Sequence, residues 1–282
     1  MVVSSSLRKA RKIVIITISK IVLYTLVYHL ASKALDRPAF PDAWEILHVM
    51  INKVLPGFIV HLPATLIRWF AVYMVGLMLG LLGGILIGYF KRIHKTVEFE
   101  IDFLRSLPAT VLVVFILAAF SDGHIQRSLP ALYITFFTVL FYVTKHMAIL
   151  NRNRIEHLKD LGAGKAFILR HCVYYELLPT MMVAARQAIS LSFLVAISVE
   201  LIVGSYGNVG LGKLLYDWKF YTEYSSIIGG LLIIGSIGYG LNMGMLKLHQ
   251  KMTPWTKVKT KKKKSHEHNK HNTARTPAYG CC

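Results

Sequence analysis

Residues 66–90 read LIRWFAVYMVGLMLGLLGGILIGYF, and Arg68 is the one charged residue among them. A helix needs about 20 predominantly apolar residues to cross the hydrocarbon core of a bilayer. Soluble domains divide their apolar residues into shorter periodic runs. This stretch is therefore typical of a membrane-spanning helix.

Four glycines recur in the stretch at four-residue spacing: Gly76, Gly80, Gly84 and Gly88. The spacing places them on one helical face, where a second helix can approach closely. We expect this face to pack inside the protein. A contact between subunits, or a surface that slides during transport, is the alternative.

Five further apolar runs flank this stretch, at residues 13–35, 107–120, 129–150, 188–203 and 227–246. The run at 107–120 is short for a membrane crossing. The run at 13–35 follows a basic segment, as in a signal peptide, but its length favours a retained helix. The fold class predicted is all-α, a polytopic membrane bundle of six transmembrane helices.

The charge distribution fits this class. The chain is 54% hydrophobic and carries a formal net charge of +19. The basic residues gather in the tail after Trp255 and in short loops, which indicates membrane orientation, and no nucleic-acid partner is expected. If there are six spans, the N-terminal cluster, the connections after the second and fourth spans, and the tail lie on one side. The positive-inside rule then predicts that both termini are cytoplasmic.

The connection between the fourth and fifth spans carries the functional information. Ile155, Leu158 and Leu161 have the spacing of a short amphipathic helix that ends at Gly162. A second helical stretch, residues 165–178, is predicted to stop before Pro179. Two helices joined by a glycine turn form a projection that a soluble partner can grip. The alternative is an amphipathic loop that lies on the membrane surface.

This loop resembles the signature loop of binding-protein-dependent ABC importer permeases. That pattern is Glu-Ala-Ala, three residues, Gly-Ala, and later an aliphatic-Leu-Pro-x-x-x-Pro ending. Here Glu156 matches the glutamate, Gly162 and Ala163 match the Gly-Ala pair, and Pro179 matches the second proline.

The sequence also departs from the pattern, because His157 and Leu158 replace the two alanines and Tyr175 replaces the first proline. The resemblance continues with LRSLPA at 104–109, SVELIVG at 198–204, GLG at 210–212, and Trp255. This ordered set, over about residues 65–255, is similar to the nitrate/sulfonate/taurine branch of the family.

The resemblance implies an ABC type I importer permease-like fold in the inner membrane, with a cytoplasmic coupling loop at 151–186. It implies two ATPase subunits, a second permease copy in a homodimer, and an extracytoplasmic solute-binding protein. ATP and Mg would be bound by the ATPases, so no catalytic residue, metal or cofactor is expected in this chain. The implied cargo is a nitrate-, sulfonate- or taurine-like small anion or a related small molecule. The residues expected to couple to the ATPases are Glu156, Leu158, Asp160, Leu161, Gly162, Ala163, Phe167 and Pro179.

Four residues are candidates for translocation or gating: Glu200, Ser198, Gly210 and Gly212. Burying a carboxylate in a membrane span costs free energy, so such a group usually faces a cavity or a partner. Glu200 could touch substrate, pair with a basic side chain or fix helix packing. Since the family often has glutamate here whatever its cargo, structure or gating is favoured. The nearby GNVGLGK at 207–213 is not a phosphate-binding loop, because Leu214 stands where Ser or Thr must reach magnesium.

The predicted organisation has three parts. Residues 1–64 hold a cytoplasmic segment, the first span and an external loop, residues 65–255 form the permease core, and residues 256–282 form a disordered, basic His/Lys-rich tail. A membrane scaffold or a membrane-embedded enzyme without an ATPase partner is the alternative. Against an enzyme, the predicted spans contain neither paired acidic residues nor a His-based metal cluster.

Overall fold

The computed structural model describes residues 2–35, 37–150, 157–204 and 209–256. Within these ranges the regular elements are helices, which we number in chain order. They are α1 (Val2–Leu35), α2 (Ala43–Val49), α3 (Leu55–Tyr89), α4 (Lys91–Ser106), α5 (Ala109–Ala119), α6 (Gly123–Ile149), α7 (Lys165–Ile168), α8 (Tyr174–Val203), α9 (Leu211–Phe220) and α10 (Tyr224–Met252). The π-helical segments Met50–Val54 and Leu169–Val173 lead into α3 and α8.

The described helices confirm an all-α membrane protein. Within the part of the chain that the structure describes, four helical stretches are long and apolar enough to cross a membrane: Ala43–Tyr89, Gly123–Ile149, Tyr174–Val203 and Tyr224–Met252. The pair α4 and α5 makes a fifth if it counts as one bent span. The first predicted span lies in α1, several of whose side chains are outside the described set. The count of six therefore stays a prediction.

The second span begins much earlier than its apolar run. Residues 43–64, expected to form an external loop, are helical, and the predicted boundary at residue 64 falls inside α3. Ile46, Val54 and Phe58 are buried. Their spacing of eight and four residues puts them on one helical face, so burial of that face stabilises the added turns.

The prediction that a helix stops before Pro179 is wrong. The proline lies inside α8, which runs without a break from Tyr174 to Val203. Proline removes one backbone hydrogen bond and tends to kink a helix. Here it falls in the second turn, and the neighbouring Leu177 and Leu178 are buried, which favours continuation of the helix. The fifth span thus begins at residue 174 rather than 188.

The third span is shorter than the sequence indicated. α5 has 11 residues, or about 16 Å at 1.5 Å per residue, about half of the hydrocarbon thickness. Its axis is bent by 88° from that of α4. Leu107 and Pro108 hold extended backbone between the two helices, as expected around a proline.

Two compact units divide the chain. The first takes its described residues from 1–67 and 197–237. In it, Phe58 of α3 stacks on Trp218 of α9 with ring centroids 6.4 Å apart. Lys53 donates to Glu223 at 2.5 Å, and Ser225 donates to Glu45 at 2.6 Å. These contacts tie the π-helical segment and α2 to the start of α10.

The second unit takes its described residues from 68–196 and 238–256. In it, α4 and α5 pack on α6. The Trp69 indole donates to Ser192 at 3.0 Å, and the Tyr73 hydroxyl donates to the Ala185 carbonyl at 2.9 Å. These buried bonds join α3 to α8 in the manner of polar contacts between membrane helices.

Candidate functional site

Glu200 is the acidic side chain that the sequence singled out inside a span, and it is 4% exposed. Its Oε2 accepts the Thr65 hydroxyl at 2.9 Å and the Gly212 amide at 3.0 Å. A buried carboxylate needs such partners, because an unpaired charge in a low-dielectric interior is very costly. The carboxylate is therefore held between α3 and the first turn of α9.

Two further side chains bind the same turn. The Leu211 amide donates to the Thr65 hydroxyl at 2.9 Å, and the Gly210 amide donates to His61 Nδ1 at 3.0 Å. The first amides of a helix have no intrahelical acceptor, and here Glu200, Thr65 and His61 supply acceptors from α3 and α8. We call these three side chains with residues 210–212 the α9 anchor.

Gly212 is needed because the two backbones meet there. A Cβ at Gly212 would overlap the Cβ of Glu200 and lie 2.5 Å from its carbonyl carbon and 2.6 Å from the Leu201 nitrogen. A Cβ at Gly210 would lie 3.2 Å from Glu200 Oε2. The Gly-Leu-Gly sequence at 210–212 thus allows α9 to pack directly against α8.

The anchor fits a structural or gating role. The carboxyl group of Glu200 faces the N-terminus of α9, whose first backbone amides carry a partial positive charge. Among the described residues, its hydrogen bonds include those to the Thr65 hydroxyl and the Gly212 amide, which belong to the protein itself. Ser198, the fourth candidate, is half-buried and lies two residues earlier on α8, on a different side of that helix.

Sequence reasoning missed His61 and Thr65. Both were assigned to the external segment or its boundary, because the apolar run was taken to begin at residue 66. The signal was their spacing of four residues, which puts two polar groups on one face once α3 is extended backward. The spacing of His61 and Thr65 can be interpreted only when it is known that α3 already includes both residues.

The coupling segment is a helical turn closed by glycine. Residues 157–160 are helical, the Gly162 amide donates to the Lys159 carbonyl at 2.8 Å, and the Ala163 amide donates to the Leu158 carbonyl at 2.9 Å. This pair of bonds is the Schellman motif, which requires left-handed backbone at its glycine. Gly162 has φ of 79°, as only glycine adopts readily.

The turn presents apolar side chains to the outside. Leu161 is 82% exposed, and Phe167 is exposed and stacks on His171 with ring centroids 4.3 Å apart. Asp160 is exposed, and Leu158 and Ala163 are half-buried. These candidates share one segment, whereas Pro179 lies in α8 and Glu156 lies outside the described residues.

The glycine face of α3 meets α6. A Cβ at Gly76, Gly80 or Gly84 would lie 2.9, 2.8 or 2.7 Å from the Cβ of Thr135, Val139 or Val143, respectively. A Cβ at Gly88 would overlap Met147. Both series advance by four residues, so the two helices run together for more than three turns. Within the described chain, these four glycines serve packing between helices.

Comparison with known proteins agrees with this architecture. The family model described as "Binding-protein-dependent transport system inner membrane component" matches residues 76–254. The taurine transport system permease protein of Escherichia coli is 22% identical over 83% of this chain and 86% of its own length. The bicarbonate transport system permease protein of Synechococcus elongatus is 25% identical over 62% of each chain.

A solved structure shares the fold. It is an inward-facing conformation of the MetNI methionine ABC transporter. The match has a TM-score of 0.58 at 18% identity, and it covers 72% of this chain and 98% of that one. The membrane bundle thus has a known counterpart.

Proposed function

Since this chain belongs to the family of binding-protein-dependent transport system inner membrane components and is a permease of an ABC import system, we propose that two copies of it form the path for a small anion. Two separate ATPase subunits bind residues 157–168, and an extracytoplasmic solute-binding protein delivers the cargo. ATP and Mg belong to those ATPases. Both termini face the cytoplasm.

The observation that carries the ATPase partnership is the pair of exposed apolar side chains, Leu161 and Phe167, at this turn. Leu161 is four-fifths exposed beside the Schellman glycine, and exposed apolar groups on a rigid turn are typical of a protein contact. The backbone geometry there is fixed by two hydrogen bonds, so little ordering entropy is lost on binding. A rigid turn also transmits closure of the ATPases to the bundle as a rigid-body movement.

The anionic cargo is supported by the relatives, whose names specify taurine and bicarbonate transport. Those two cargoes share a small size and an anionic group. The α9 anchor supports a gating step, because it fixes a short helix through side chains of two different helices. Movement of α8 against α3 would break the anchor and release α9.

The test is co-purification of the tagged full-length chain from its native host in mild detergent, with mass spectrometry of the recovered proteins. The wild-type chain should recover a soluble ATPase in near-equal amount. Leu161→Glu and Gly162→Trp should lose it. The matched control is Phe220→Glu, because Phe220 is also largely exposed but lies at the C-terminal end of α9, on the predicted external side.

Gel filtration must show that each variant stays monodisperse. An ATPase recovered equally with Leu161→Glu and with the control would move the contact elsewhere. A folded wild-type chain that recovers no ATPase would refute the partnership.

A further inference from the structure

The helix α4 has two chemically different faces. Its inner face includes Ile101, which is buried, and packs on α6. Its outer face carries Phe99 and Phe103, which are 77% and 55% exposed. Their rings stack at 6.4 Å with an interplanar angle of 14°. Exposed stacked phenylalanines in water would be costly, so this face meets an apolar medium.

Two of the three acids of α4 are engaged toward α6, and the third, Glu100, is exposed. Lys145 Nζ lies 3.8 Å from Glu98 and 3.2 Å from Asp102. The Arg105 guanidinium lies 3.8 Å above the ring of Phe141. These contacts neutralise acidic charge on the side of α4 that packs on the bundle.

Two cations lie with the phenylalanines instead. Arg92 and Lys95 are exposed and pair with no acid among the described residues. At 3.6 residues per turn, Lys95, Phe99, Arg92 and Phe103 fall within about 80° of the helix circumference. We call these four side chains the outer face of α4. It combines cations near one end of the helix with aromatic rings farther along.

The bend after α4 gives this face its orientation. α5 is apolar along its length, and Val114 and Phe115 on it are exposed, as expected for a helix in contact with hydrocarbon. Its axis makes an angle of 88° with that of α4. When α5 enters the bilayer along the normal, α4 lies in the membrane plane. Amphipathic helices with basic and aromatic residues lie in this way at the headgroup boundary.

We propose that the outer face of α4 is an anionic phospholipid site. Arg92 and Lys95 bind lipid phosphate groups, while Phe99 and Phe103 insert at the boundary between headgroups and acyl chains. Charge complementarity selects the ligand, because cytoplasmic leaflets carry anionic lipid and α4 lies in a segment that the positive-inside rule assigns to the cytoplasm. The site fixes the depth of α4 and hence the point at which α5 enters the bilayer.

The test uses the full-length chain in nanodiscs of phosphatidylcholine with a minor fraction of phosphatidylglycerol. Native mass spectrometry after detergent release counts the retained phosphatidylglycerol. Arg92→Gln combined with Lys95→Gln should lower retention about five-fold for each cation removed. The control is Lys33→Gln combined with Lys219→Gln, which removes the same charge from two exposed lysines predicted to lie on the opposite side.

The insertion of Phe99 and Phe103 is tested by a separate measurement. A spin label on Phe99→Cys, with the native cysteines replaced by serine, should show the oxygen accessibility of a bilayer interface. Equal phosphatidylglycerol retention in the α4 and control variants, or a label accessible only to aqueous reagents, would overturn the proposal. Loss of the ATPase with unchanged lipid retention in the α4 variant would assign this face to a protein instead. Lipid retention without any ATPase would refute the proposed partnership alone.

Discussion

At Gly212 the α8 and α9 backbones lie so close that no side chain fits. Gly212→Ala places a methyl group 2.5 Å from the Glu200 carbonyl carbon, where backbone and not a flexible side chain has to move. We expect a cost of about 3 kcal/mol, seen as a fall of several degrees in the thermal unfolding midpoint in detergent.

The matched control is Gly235→Ala in α10. A Cβ there meets nothing within 4 Å, and alanine favours a helix interior by about 1 kcal/mol over glycine. Its midpoint should stay unchanged or rise slightly. Equal midpoints for both variants would mean that the helices do not approach as closely as described.

Thr222, between α9 and α10, has φ of 57°. Its amide donates to the Lys219 carbonyl at 3.2 Å, and the Glu223 amide donates to the Trp218 carbonyl at 2.8 Å. This is a second Schellman motif, with a β-branched residue where glycine is favoured. Thr222→Gly should raise stability by about 1 kcal/mol in thermal unfolding, whereas Thr222→Ala should give no gain. A gain of equal size with alanine would refute backbone strain as the cause.

Residue-scale prediction from sequence succeeded where chemistry alone decides. A carboxylate at position 200 inside an apolar run had to have partners, and Gly162 after an amphipathic turn had to end it. Which partners Glu200 has depends on where α3 begins, and α3 begins eleven residues before the apolar run from which it was predicted. The sequence analysis therefore did not identify His61 and Thr65 as partners of this site.

At the scale of elements, the glycine face of α3 invites a swap experiment. Gly84→Ala should destabilise the bundle by about 1–3 kcal/mol, because its Cβ would lie 2.7 Å from that of Val143. Adding Val143→Gly restores the space from the opposite helix, and should recover at least half of the loss in unfolding midpoint. No recovery in the double variant would show that the two positions are not in contact.

The pair of Lys53 and Glu223 predicts a pH dependence. The hydrogen bond from Lys53, aided by one from Ser226, lowers the pKa of Glu223 below its ordinary 4.5, although burial acts in the opposite direction. A carboxyl pKa that is lower in the folded chain stabilises fully above about 4.5, and that contribution is lost as the pH falls through the lowered value. Because both side chains are partly exposed, the effect is small.

Glu223→Gln should therefore lower the unfolding midpoint at pH 7, and the difference from wild type should vanish below the lowered pKa. The control is Glu100→Gln, which removes the charge of an exposed acid on α4. It should leave the unfolding midpoint unchanged both at pH 7 and at low pH. A difference that persists at low pH would assign the effect to packing rather than to charge.

Element boundaries are where the sequence misled. Length and hydropathy located the spans, but Pro179 was read as a stop because proline disfavours a continuing helix. The cost of proline depends on what the surrounding turns bury, and the preceding Leu177 and Leu178 are buried here. The same holds for residues 43–64, whose buried face is spread over turns that also carry charges.

For the whole molecule, the fold class followed from the apolar runs alone, since only helices satisfy their backbone polar groups inside hydrocarbon in this pattern. The number of spans did not follow. An 11-residue helix after an 88° bend satisfies neither the definition of a span nor that of a loop. Its assignment depends on tertiary packing against α6, which no local pattern encodes.

The number of spans decides whether the two termini share a side, and this gives the last prediction. Six spans and the positive-inside rule place both termini and the coupling segment in the cytoplasm. Green fluorescent protein fused to either end should then fluoresce. In a chain whose native cysteines are serine, Lys219→Cys should react with a membrane-impermeant maleimide in intact cells, and Lys159→Cys only after permeabilisation. Five spans would put the two termini on opposite sides, so that a single fusion fluoresces. Equal labelling of both cysteines in intact cells would refute the orientation, because α9 and the coupling segment would then share a face of the membrane.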